Sequence, residues 1–225
     1  MNSIVASLLF GMLWAQPAPE QPALSEIDRI VDGIQARYAS VSDFKARFSQ
    51  TVTRKHLPRP RTNKGKVFFK RPGMMRWDYT SPEKVYYISN GDILWSYQPE
   101  DKLAYKMRVR ESELYQALKF LFGQGDLRKE FNVSLGDSES GRSVVVLEPK
   151  TAQSNYKRIR LFVDAKSFDI RTTEIVDPLG NVSRVTFDKV TYETLNAKAF
   201  TFKPPAGVRV EDLARPAKNG TKPGK

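Results

Sequence analysis

The groups this chain offers for chemistry are few in kind. It has no cysteine and a single histidine, His56. Without thiols there are no disulfides, thiolate metal sites or cysteine nucleophiles. A lone histidine in a Pro/Arg-rich loop lacks the partners that a triad or a metal centre needs. No Gly-rich phosphate loop, His-Glu-x-x-His or Gly-x-Ser-x-Gly is present. The 25 Asp and Glu fall mostly on polar faces or in turns, where solvated charge is their usual meaning. No catalytic, metal or cofactor-binding residue is assigned on this basis. What remains is apolar surface with cations beside it, which is the chemistry of holding an amphiphile.

That combination is densest from Lys70 to Tyr79. A basic Pro-Gly turn, Lys70-Arg71-Pro72-Gly73, leads into Met75, Trp77 and Tyr79 at alternate positions. A strand sends alternate side chains to opposite faces, so one face is large, soft and apolar and the other carries Met74, Arg76 and Asp78. Arg71 stands at the rim of the apolar face. By the same alternation Phe44, Phe48, Phe69, Met75, Trp77, Trp95, Tyr97, Tyr105 and Met107 are expected on one face of a curved sheet, with Leu118 and Leu121 facing it from a helix. Such a face is either an ordinary core or a cavity for a greasy ligand. Methionine, flexible and polarizable, suits adaptable apolar surfaces and leans towards the cavity.

Several elements must position these residues. Ser25, with Asp28 three residues on, caps a helix whose stripe is Ile27, Ile30, Val31, Ile34 and Tyr38. From Phe44 the period changes to two, and strands follow one another: 44–52, 67–70, 74–79, 85–89, 93–97 and 103–109, with a polar loop at 54–64 and a hairpin turn at Asn90-Gly91. Residues 112–122 predict a second helix ended by Gly123, with a further helical turn near 124–127. Strands resume at 131–135, 143–147, 158–163, 170–176 and 182–192, and Phe200–Phe202 predicts a last short one. Short connections imply antiparallel neighbours, and a single twisted sheet of about eleven strands must curl. The expected fold is mainly β: an unclosed antiparallel half-barrel covered by two or three helices that act as a lid.

The ends carry other signals. Residues 1–15 have the apolar run of a secretory signal without a basic n-region, 16–23 form a Pro-rich linker, 24–214 the folded domain and 215–225 a basic, disordered tail. Export without cysteine suits a bacterial periplasm. The net charge of +12 is dispersed along the chain, which favours solubility over nucleic-acid binding.

Five motifs, in order, then speak together. They are Phe44-x-Ala46-x-Phe48-x-Gln50-x-Val52; Lys70-Arg71-Pro72 with Arg76-Trp77; Ser89-Asn90-Gly91 followed by Leu94-Trp95-x-Tyr97-x-Pro99; Leu147-x-Pro149-Lys150; and Phe200-Thr201-Phe202-x-Pro204-Pro205-x-Gly207-Val208. The set closely resembles the outer-membrane lipoprotein carrier (LolA-like) family, from the first helix to about Val210. The resemblance implies a monomeric periplasmic chaperone, not an enzyme, that binds the acyl chains of triacylated lipoproteins. It would load from an inner-membrane ABC transporter (LolCDE) and unload to an outer-membrane LolB-like receptor where one exists. It also implies that Arg71 latches the lid by hydrogen bonds, and that Met75 lines the cavity and transfer surface. The receptor of that pathway is itself anchored through a lipidated cysteine, which this chain does not have. A carrier or sensor for another amphiphile, such as a glycolipid, stays open, as does an exported enzyme.

Overall fold

A computed structural model describes residues 25–57, 59–109 and 125–214. The predicted signal, linker, basic tail and second helix, with Leu118 and Leu121, lie outside the described residues.

Helix α1 spans Glu26–Ser40. Its start follows from Ser25, whose Oγ accepts the Asp28 N–H while Asp28 and Glu26 place negative charge on the first turn. Its stripe buries Ile30, Val31, Ile34 and Tyr38 against the sheet. The chain then builds one meander: β1 (Asp43–Thr53), β2 (Arg61–Lys70), β3 (Met74–Ser81), β4 (Val85–Asn90), β5 (Ile93–Gln98) and β6 (Leu103–Arg108). A short helix, α2 (Leu127–Glu130), opens a second: β7 (Phe131–Glu139), β8 (Arg142–Pro149), β9 (Arg158–Val163), β10 (Ile170–Val176) and β11 (Val182–Thr191). Strand β11 returns beside β1, and a last strand, β12 (Arg209–Asp212), joins the far edge. The meanders therefore share one sheet, ordered β12-β6-β5-β4-β3-β2-β1-β11-β10-β9-β8-β7. Its edges, β12 and β7, do not pair, and the barrel is left unclosed.

Among the described residues there are twelve strands rather than about eleven, and one pairing is parallel, that of β12 with β6. Phe200–Phe202 is not a strand: a 3-10 turn, Ala197–Phe200, is followed by extended chain. Pro204 and Pro205 have no N–H for a ladder, and Phe200 and Phe202 serve as anchors on the outer face instead. The polar segment 54–64 is also shorter as a loop than expected, because β2 already begins at Arg61.

Register decides which side chains share the inner face. Across β1, β2 and β3, Phe44 opposes Phe69 and Phe69 opposes Met75, while Val67 opposes Ala46 and Trp77. On the other side Phe48 opposes Phe187, and Val145, Leu161, Leu147 and Ile159 continue the same face. One apolar cluster therefore fills the trough under α1. Gly65 permits the closest approach, at a register shift between β2 and β3: a Cβ there would lie 2.1 Å from the Asp78 carbonyl oxygen and 2.7 Å from the Phe48 ring.

Candidate functional site

The concave face has two regions. Under α1 it is dry and closed. Met75 is 0 % and Trp77 2 % exposed, and Phe44, Phe48 and Phe69 are buried with them. The rings pack in tilted and edge-on pairs: Phe44–Phe69 at 4.6 Å, Phe48–Trp77 at 4.9 Å and Phe69–Trp77 at 5.9 Å. The Trp77 indole N–H is buried here with no hydrogen-bond partner.

Beyond Phe48 no described helix covers the same face. A cavity of about 490 Å³ opens there, floored by Val52, Tyr79, Val85 and Tyr87, with Gln50 and Asn63 on its wall. Aromatic contact is continuous from the closed region into the open one, Phe48–Tyr79 at 4.9 Å and Tyr79–Tyr87 at 5.7 Å. The wall amides occupy each other: Asn63 donates to Gln50, which donates to Ser183. Burial pushes the Tyr79 hydroxyl well above its ordinary range, so it stays protonated at any physiological pH.

Arg71 lies between the turn and the helix. Its guanidinium donates to the carbonyl of Tyr38 and, at 3.0 Å, to that of Ala39, both at the C-terminal end of α1. A cation there also meets the negative end of the helix dipole. All other described side-chain hydrogen bonds between α1 and the rest of the fold run to the second meander. Arg37 donates to Asp169 at 2.9 Å, the Ile170 N–H to the Tyr38 hydroxyl, the Leu127 N–H to Gln35, and Arg128 to Asp28 and Asp32. Arg29 donates to the Ala165 carbonyl. The helix is thus fixed by polar contacts on the β7–β11 side, and on the β1–β6 side by Arg71. Asp169 is held firmly: burial alone would raise its carboxyl, but hydrogen bonds from Tyr192 and Arg37 outweigh that and keep it below the usual carboxylate range.

The expected lining residues separate in space. Phe44, Phe48, Phe69, Met75 and Trp77 share the concave face. Met107 joins them through Leu94, and Tyr105 lies on the same side opposite Ser96. Trp95 and Tyr97 do not. Trp77 opposes Tyr87, Tyr87 opposes Ser96, and Met75 reaches Leu94 through Ser89, so Leu94 and Ser96 face the trough. Trp95 and Tyr97 are on the convex face, where both rings pack on Phe202 at 5.5 and 5.1 Å. The cause is that in β5 the more apolar face, Ile93, Trp95 and Tyr97, is the outer one, where Phe202 of the C-terminal segment packs, while Leu94, Ser96 and Gln98 take the inner positions. Arg76 helps hold that segment through the Ala199 carbonyl and pairs with Asp78 at 2.8 Å. Tyr87, Asn63 and the arginines of the 54–61 segment are missing from the expected lining. Tyr87, Asn63 and Arg61 share the strand parity of Trp77 and Phe48, but the Pro-rich segment obscures the start of β2, and Arg54 and Arg59 lie between strands, where no parity applies.

The match to known proteins is extensive. The family model "Outer membrane lipoprotein carrier protein LolA" aligns with residues 39–203. The chain belongs to this family. An outer-membrane lipoprotein carrier protein of Serratia proteamaculans is 30% identical over 181 residues, covering 80% of this chain and 86% of its own. One from Dechloromonas aromatica is 27% identical over 181 residues, with the same shares of each chain. A solved structure of an uncharacterized conserved protein from Thermus thermophilus has the same fold at a TM-score of 0.53 and 9% identity, covering 81% of this chain and 96% of that one. No described helix is long and apolar enough to cross a membrane.

Proposed function

We propose that this LolA-family protein is a periplasmic carrier that takes up the acyl chains of lipoproteins between α1 and the concave face and delivers them to the outer membrane. Each buried methylene is worth ~0.8 kcal/mol, so several acyl chains hold a lipoprotein in a bilayer by tens of kcal/mol. Crossing an aqueous space then requires an apolar host. The host must also let go, which a self-sealing empty state provides: when the trough is vacant, α1 closes on Met75, Trp77 and Phe69, and Arg71 seals the helix end.

The observation that carries this reading is the lopsided bonding of α1. Among the described residues, the side holding Met75, Trp77 and the open cavity is tied to the helix through the side chain of one arginine, so parting there breaks few of the described polar contacts and exposes a ready apolar surface. The unpartnered Trp77 N–H supports it too. A buried donor left unmade costs ~1–3 kcal/mol in a plain core, and an ester carbonyl of a lipid could accept from it. Loading would be driven by an ABC transporter of the LolCDE type, and unloading would go to a LolB-like receptor or directly to the outer membrane.

The test is displacement. The purified protein should bind neutral N-phenylnaphthylamine with enhanced fluorescence, and a triacylated lipoprotein should displace it, whereas the same polypeptide without acyl chains should not. Equal displacement by both forms, or none by either, would overturn the reading.

A further inference from the structure

The open cavity has an electrostatic character that acyl chains do not need. Arg54, Arg59 and Arg61 line it, against a single carboxylate among the described lining residues, Glu83. Arg61 pairs with Glu83 at 2.9 Å, but the two side chains are 55% and 61% exposed, and such a pair is weak and easily exchanged for a better one. Arg54 and Arg59 have no side-chain partner among the described residues. Between them stands Leu57, 52% exposed on the same rim. Residues 54–70 carry seven Lys or Arg and no Asp or Glu. Of these, Lys64 and Lys66 alternate with the inward Asn63 and Gly65 and so face away. The arginines alone are gathered at the cavity.

We propose that this rim recognises an anionic group attached directly to the apolar tail of the ligand, a phosphate being the best match, so that the protein prefers anionic over neutral amphiphiles. The inference goes beyond the carrier reading: the acylated cysteine of a lipoprotein carries no phosphate, so the rim serves a second class of ligand, a phosphate-bearing lipid. Guanidinium groups bind phosphate oxygens bidentately and shed water more readily than ammonium groups, which suits the edge of an apolar cavity. The volume of about 490 Å³ is that of a site for one small amphiphile and lies within the ~300–1,000 Å³ usual for ligand pockets. A tail on Tyr79 and Tyr87, continuing towards Phe48, leaves its head among Arg54, Arg59 and Arg61.

The experiment compares ligands with one tail and different heads, below their micelle concentrations, by displacement of N-phenylnaphthylamine. Dodecyl phosphate should displace the dye at a concentration about tenfold lower than dodecyl maltoside in low salt, and raising the salt should shrink the gap. The Arg54→Gln/Arg59→Gln variant should lose the gap and keep its response to dodecyl maltoside. Glu83→Gln should widen it, by freeing Arg61. Inorganic phosphate alone should displace nothing. Equal displacement by the two detergents, or a gap that survives in the double variant, overturns the inference while leaving the carrier reading in place. Displacement by inorganic phosphate alone overturns it in favour of a simple anion site. Failure of both detergents to displace the dye, with displacement by the triacylated lipoprotein intact, overturns the inference alone; failure of the lipoprotein as well overturns the carrier reading.

Discussion

Arg71→Leu probes the closed state directly, and its magnitude follows from the contacts. The bond from the guanidinium to the Tyr38 carbonyl is half-buried, and a charge-assisted bond of that kind contributes ~1.5–3 kcal/mol. The bond to Ala39 is exposed and contributes ~0.5–1 kcal/mol. Against these, Arg71 Nε is buried without a partner, a cost of ~1–3 kcal/mol that leucine removes. With each contribution at mid-range the net loss to the closed state is ~1 kcal/mol, which is about a 5-fold rise in the open fraction. When only a minor open state binds, apparent affinity rises in proportion to that fraction. The variant should therefore bind N-phenylnaphthylamine about 5-fold more tightly and hand a bound lipoprotein to acceptor vesicles more slowly. Arg71→Lys, retaining a cation but not the two-pronged donor, should fall between. Unchanged or weaker dye binding in a variant with wild-type circular dichroism would refute the latch.

Three further outcomes are expected. Trp95→Ala, on the convex face, should lower stability by ~1–3 kcal/mol through lost packing on Phe202 and leave dye affinity unchanged, as thermal melts beside titrations would show. Gly65→Ala should cost ~1–3 kcal/mol or more, because its Cβ must displace the Asp78 carbonyl or the Phe48 ring; a melting temperature equal to wild type would contradict the close approach. Asp169 has a folded-state pKa below its unfolded value, so its stabilisation is present above the ordinary carboxylate range and is lost as pH falls through the lower folded value. Asp169→Asn should thus be less stable than wild type by ~1–3 kcal/mol at pH 7, and urea midpoints of the two should converge as the pH drops below ~3.9.

Much of the sheet was legible because its strands alternate cleanly. Met75, Trp77 and Tyr79 share a face as their spacing demands, and Asn90-Gly91 makes the turn between β4 and β5, with Asn90 Oδ1 accepting from Asp92 and Ile93 N–H and Gly91 at φ 100°. Alternation misleads where the more apolar face of a strand is the outer one. In β5, Leu94 and Trp95 are adjacent apolar residues, and only the register carried from Trp77 through Tyr87 to Ser96 says which looks inward. The Phe200–Phe202 segment has strand-forming residues, but a tertiary role on the convex face overrides that propensity. The cavity wall was the least legible part. Arg61 and Asn63 are strand residues on the inner face, yet their polarity and the neighbouring prolines give them the composition of a loop.

The central claim is that acyl chains enter between α1 and the concave face, parting the helix from the side that Arg71 seals. A reducible cross-link tests it most directly. Cysteines replacing Ala39 on α1 and Arg71, whose guanidinium reaches the Ala39 carbonyl at 3.0 Å, joined through disulfides to a bis-methanethiosulfonate linker about as long as the arginine side chain, would tie that helix end to the β2–β3 turn in a chain that has no other thiol. Lipoprotein-laden vesicles incubated with an energised transporter should yield a soluble complex with the reduced variant and none with the cross-linked one, as read by flotation, and added reductant should restore it. Equal complex formation in both states would contradict the account.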